Sequence, residues 1–163
     1  MIPTLSAHTV AAAAFFIVSS ANVLAYQPGE AVAPQVLEQL GIQPGKIVVV
    51  DFFAEWCGSC RKELPLIAQL NSRTDDGTVQ FVGVDTDDSL AVAQSFQQEM
   101  KEKGALNFPV VNDIEQTLVG QFRPKGFPAL YIIKDGRIAR AHLGAIESID
   151  SLIEQDLQQL THP

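Results

Sequence analysis

A chain of 163 residues with 47% apolar side chains suffices for one domain around a single core. Its 19 acidic residues outnumber 11 basic ones, and the net charge of −8 argues against nucleic acid or an anionic membrane surface as a partner. One pair of cysteines and three scattered histidines, His8, His142 and His162, do not make the four-ligand pattern of a structural zinc site.

The first 25 residues carry no Asp, Glu, Lys or Arg, and residues 9–25 are mostly apolar. Val23-Leu24-Ala25 offers the small residues that a signal peptidase requires, so residues 1–25 read as a signal peptide cleaved before Tyr26. No lysine or arginine precedes Lys46, which is unusual for such a segment. An uncleaved anchor is the alternative, although the stretch is short for a bilayer core and Ser19, Ser20 and Asn22 dilute it. Residues 26–163 form the domain. No internal repeat or low-complexity tract interrupts it.

Residues 34–40 predict a short helix ended by Gly41. Residues 46–53, β-branched and aromatic, predict a buried strand, and residues 59–72 carry apolar side chains at helical spacing. Thr74-Asp75-Asp76-Gly77 is a turn. Residues 79–84 repeat the strand pattern, and residues 89–103 predict an amphipathic helix with Leu90, Val92, Ala93, Phe96 and Met100 on its apolar side. A short strand within 107–113 and a helix over 114–122 follow. Lys134-Asp135-Gly136-Arg137 joins strands 129–133 and 138–143 in a hairpin, and residues 149–160 close the chain as a helix. The order predicts an α/β fold with a mixed central sheet flanked by helices.

The two cysteines stand in Trp56-Cys57-Gly58-Ser59-Cys60, between the first strand and its helix. Unpaired N–H groups and the macrodipole at a helix start favour a thiolate there. Lowering a thiol pKa from about 8.5 to about 7 raises the thiolate fraction at neutral pH from roughly 3% to roughly half. A two-residue spacer lets one sulfur attack a substrate and the other resolve the intermediate. A structural disulfide is the plainer reading, but so short a loop removes little denatured-state entropy. Cys57, at the helix end and toward solvent, is the expected nucleophile, and Cys60, one turn in, the resolving thiol. Asp51 sits in a run that otherwise reads as core; burial without a partner would raise its pKa. Glu63, in the first helical turn, is favoured there by the dipole alone. Its position one turn beyond Cys60 also suits proton exchange with that thiol.

The segment from Val50 to Cys60 resembles the active site of thioredoxins, with Ser59 where they usually carry proline. Pro65 falls where that family kinks its active-site helix. Gly126-Phe127-Pro128 and the hairpin after it resemble the family's cis-proline loop, and Gly144 with the helix that follows matches its C-terminal end. The likeness runs from about residue 46 to about residue 160. Glu63, and the helix-plus-strand insert between Asp85 and Phe127, are similar to the extracytoplasmic TlpA and ResA type, which keeps client thiols reduced, including those awaiting haem in cytochrome c maturation. The family's N-terminal hairpin has no counterpart in residues 27–45.

This resemblance implies a thioredoxin fold and further roles. Asp51 would move the proton of Cys60, with Glu63 partly redundant. Trp56 would flank the site; as a plain surface aromatic it would pack on its neighbours. Pro128 would be cis, against the trans default of X–Pro bonds, exposing the Phe127 backbone as a docking edge for apolar, extended client segments. Phe53 reads as core and His142 as structural. Phe81 replaces the lysine that thioredoxins place near the buried acid, which makes Asp51 harder to ionise. The expected activity is reduction of client protein disulfides in the periplasm or another extracytoplasmic space, by a monomer without cofactor, re-reduced by an upstream membrane thiol donor. A disulfide donor is the reverse alternative. A metallochaperone holding Cu(I) between the two thiolates is a third.

Overall fold

The run Ile47–Phe53 forms β1, buried along its whole length, and everything else is arranged around it. The computed structural model describes residues 25–74 and 77–162; the segment expected to direct export lies outside these, apart from Ala25, as do Asp75 and Asp76 of the expected turn. The other elements are α1 (Pro34–Gln39), α2 (Cys60–Arg73), β2 (Val79–Asp85), α3 (Leu90–Glu102), β3 (Val110–Asn112), α4 (Thr117–Phe122), β4 (Ala129–Lys134), β5 (Arg137–Leu143) and α5 (Ile149–Thr161). The sheet order is β3-β2-β1-β4-β5. β1, β2 and β3 run parallel, and β4 and β5 run antiparallel to their neighbours, so the sheet is mixed as expected.

The two-residue alternation of β1 splits the core in two. Ile47, Val49 and Phe53 face α2, α3 and α5, together with Phe81, Leu130 and Ile132. Val48, Val50 and Phe52 face the opposite way, against α1, α4, Val82, Val84 and Tyr131. By this alternation Asp51 belongs to the α2 side, the side that also holds the cysteines. Gly83, its register partner on β2, lies in a tight place: a Cβ there would meet Phe53 at 2.7 Å, Val110 at 3.2 Å and Phe108 at 3.3 Å.

The signals at the element ends explain their boundaries. Pro34 opens α1, and Gly41 at φ +64° ends it, with Ile42 N–H bonded to the Leu37 carbonyl. Asp135 and Gly136 both take positive φ, as a two-residue hairpin turn requires. Two expectations need correction. The fourth helix begins at Thr117 rather than 114, because Gln116 is left-handed at φ 55° and Asp113 takes over the capping. Leu90 and Val92 do not join the apolar side of α3; they are 48% and 41% exposed. The buried stripe is Ala93, Phe96, Gln97 and Met100, and Gln97 enters it because Asp85 and Asn112 need its amide.

Candidate active site

Ser59 precedes α2, and Lys62 and Glu63 donate their N–H groups to its carbonyl at 3.0 and 3.1 Å. Cys60 is therefore the first residue of the helix, while Cys57 stands just ahead of it with its carbonyl taking the Arg61 N–H at 3.2 Å. The sulfurs are joined, S–S 1.99 Å with the Cα atoms 5.3 Å apart. The Cys60 N–H points at Cys57 Sγ from 3.2 Å, and the Ser59 hydroxyl lies 3.6 Å from that sulfur. Charge developing on Cys57 thus meets a backbone donor at the positive end of α2. Cys57 was expected toward solvent, but in the disulfide it is only 4% exposed and Cys60 1%. Burial of Cys57 follows from its place in the core cluster that also holds Ala54, Cys60 and Leu64. Solvent instead reaches Trp56, which is 65% exposed.

Two carboxyls lie on this side of the sheet. Asp51 is 2% exposed and its Oδ1 has no hydrogen-bond partner among the described residues. Burial, and secondarily the charge of Glu63, raise its pKa to about 8. Glu63 is buried in turn; desolvation raises its pKa, opposed by the Ile146 N–H that its Oε1 accepts at 2.6 Å. It lines a cleft of about 380 Å³ with Ser59, Lys62, Leu66, Ala145, Ile146 and Glu147.

A third group gathers beside the disulfide. The Phe127–Pro128 bond is cis. Both residues stand just outside the ladder that begins at Ala129, and the Pro128 carbonyl accepts the Gly144 N–H at 2.9 Å. Phe127 packs against the cluster that contains Cys57 and meets Trp56 edge-on, ring centroids 5.6 Å apart. Trp56, Phe127 and Pro128 thus gather beside the disulfide, while Asp51 and Glu63 share the cysteines' side of the sheet. Missed were Arg61, Asp85, Asp87 and Gln97, polar residues with no periodic or motif signal, whose partners lie 6 to 38 residues away in the chain or on other elements. Asp85 is fully buried, with its pKa raised to about 6 by desolvation, against hydrogen bonds from Gln97 and the Asp87 N–H. Phe53 and Phe81 are core, and His142 bonds Asp156 at 2.7 Å as a link between β5 and α5. Among the described residues, no group of three or more His, Cys, Asp or Glu is arranged to hold a metal ion.

A family model described as thioredoxin-like matches residues 45–138, which takes in β1, the cysteine pair, the insert and the cis-proline. The chain belongs to the thioredoxin-like family. Within this family it is similar to the ResA type: the thiol-disulfide oxidoreductase ResA of Bacillus thuringiensis (strain Al Hakam) is 27% identical over 118 residues, 72% of this chain and 65% of the relative. The chain spans slightly less than two thirds of the length of that relative. Among solved structures, StoA of Bacillus subtilis shares the thioredoxin-like fold at a TM-score of 0.61 and 21% identity, over 71% of this chain and 85% of that one. A secreted Mycobacterium tuberculosis disulfide oxidoreductase, homologous to E. coli DsbE, gives a TM-score of 0.57 and 28% identity, over 70% and 82% of the two chains.

Proposed function

We propose that this protein is an extracytoplasmic thiol–disulfide oxidoreductase that reduces disulfides of client proteins. The observation that carries the reading is the placement of Cys57 Sγ on the Cys60 N–H at the start of α2, with an unpaired buried carboxyl, Asp51, on the sheet face of the same core. In the reduced protein the Cys57 thiolate attacks one sulfur of the client disulfide, forming a mixed disulfide and expelling the client's other sulfur as a thiolate. Cys60 then loses its proton to Asp51, attacks Cys57 Sγ and releases the second client thiolate. The client gains two electrons, the Cys57–Cys60 disulfide forms, and an upstream membrane thiol donor restores the dithiol. A carboxyl with a pKa near 8 suits this task, because a proton carrier works best when its pKa lies near the operating pH.

The names of the ResA and DsbE-like relatives support the chemistry, and the secreted Mycobacterium tuberculosis relative and the apolar segment 9–25 support export. No helix among the described residues is long and apolar enough to cross a membrane. Trp56 and Phe127 would receive the client chain, with the backbone at Phe127 and Pro128 as its docking edge. Client thiols awaiting haem are the class that the ResA likeness suggests. The test is equilibration with glutathione at several ratios, paired with turnover of a model protein disulfide. A reductant has a potential below that of the glutathione couple and converts one client disulfide per dithiol. A potential well above it would make the protein a disulfide donor instead.

A further inference from the structure

The turn that carries Cys57 is held from two sides by charged side chains. It closes on the bond from the Cys57 N–H to the Ala54 carbonyl, 3.1 Å. Glu55, at its first corner, donates its N–H to Asp87 Oδ2 at 2.9 Å. The Glu55 carbonyl accepts from Arg61 Nε at 3.2 Å, and its carboxylate from Arg61 Nη2 at 3.0 Å. Neither arm is loose. Arg61 Nη1 reaches Glu99 of α3 at 2.9 Å, and its guanidinium lies 4.6 Å from the centre of the Phe96 ring. Asp87 is buried and gives its N–H to Asp85 Oδ1 at 3.1 Å, while Asp85 Oδ2 accepts from Gln97 Nε2 at 2.9 Å. Both arms therefore end on α3, an element separate from the strand and helix that bear the cysteines.

We propose that Arg61 and Asp87 are positioning residues for Cys57, holding the two ends of Glu55 so that Cys57 Sγ stays on the Cys60 N–H. This inference rests on the thiol–disulfide reading above. Exposed ion pairs such as Arg61–Glu55 contribute little to stability, so the consequence falls on geometry. Positioning and plain electrostatics predict opposite signs at Asp87. Any negative charge on that carboxyl opposes the nearby thiolate, so removing charge alone would favour thiolate formation. Losing the grip on Glu55 disfavours it, because the sulfur drifts from its donor.

The experiment is the pH profile of iodoacetamide alkylation at Cys57 in the reduced full chain, for the parent, Asp87→Ala, Asp87→Asn and Arg61→Ala. Asp51 and Glu63 titrate in all four proteins and cancel in the comparison. Asp87→Ala and Arg61→Ala should each move the Cys57 titration upward by about one unit, slowing alkylation near neutral pH by up to about tenfold. Asp87→Asn keeps an oxygen acceptor for the Glu55 N–H but loses the charge, so Cys57 should titrate at or below the parent value and never above it. Should Asp87→Ala not fold, Arg61→Lys, which keeps the cation but loses the guanidinium fork on the Glu55 carbonyl and carboxylate, replaces it with the same upward expectation. Alanine-variant profiles that coincide with the parent, a downward movement in Asp87→Ala, or an upward movement in Asp87→Asn would overturn the inference. A parent whose own Cys57 titrates as a free thiol and reduces no client disulfide would instead count against the thiol–disulfide reading.

Discussion

At the scale of single residues, Asp51 carries the strongest physical statement. Its folded pKa of about 8 exceeds the ordinary 3.8, so the native state holds a proton that the unfolded chain releases. The cost is absent below about pH 4, grows as pH rises, and levels off above about pH 8. Asp51→Asn should therefore stabilise the fold by roughly 2–4 kcal/mol at pH 7 and by little at pH 4, read from urea melts at the two pH values. The same change should leave the first attack by Cys57 nearly intact and slow resolution by Cys60 about 10²-fold, separable by stopped-flow kinetics on a model disulfide. Glu63→Gln alone should do less and the double change more. Unchanged resolution in the double variant would show that neither carboxyl serves Cys60. The cysteine pair and Asp51 were legible in the sequence because their signals are local: a spacing of three, and one charge inside an apolar run. The bond from Ile146 to Glu63 spans 83 residues and leaves no local trace.

At the scale of elements, strands were easier to read than helix starts. β1 and β2 keep their apolar pattern to within a residue of the expected ends. α4 loses its expected first turn to a side chain: Asp113 Oδ1 accepts the Leu118 N–H at 3.0 Å and the Thr117 hydroxyl at 3.0 Å, and Oδ2 the Val119 N–H at 2.8 Å. A capping aspartate three residues ahead of a left-handed glutamine cannot be told from an ordinary loop by composition. Asp113→Ala should cost about 1–2 kcal/mol in a urea melt, with Cys57 alkylation unchanged, since α4 packs on the opposite sheet face from the cysteines. Leu90 and Val92 show the converse difficulty. Helical spacing marks a stripe, but only the sheet decides how far along the helix the stripe is covered.

At the scale of the whole molecule, the order of elements was readable because parallel strands need helical crossovers and the hairpin names its own partner strands. What the sequence did not disclose is the set of polar ties between elements, such as Arg140 and His142 of β5 on Asp156 of α5. The N-terminal join belongs to this scale too. Tyr26 packs edge-on to Phe122 and its N–H meets the Phe122 carbonyl at 3.2 Å, a bond that a freed amino group could also make. Export with cleavage before Tyr26 predicts a mature protein lacking residues 1–25; an intact mass from the native envelope fraction that still includes them would reject it. The most direct test of the central claim is to trap the mixed disulfide. Cys60→Ser, incubated with an oxidised client protein, should accumulate a covalent adduct that mass spectrometry of its peptides assigns to Cys57, and Cys57→Ser should accumulate none. An adduct through Cys60, or none with either variant, would contradict the account.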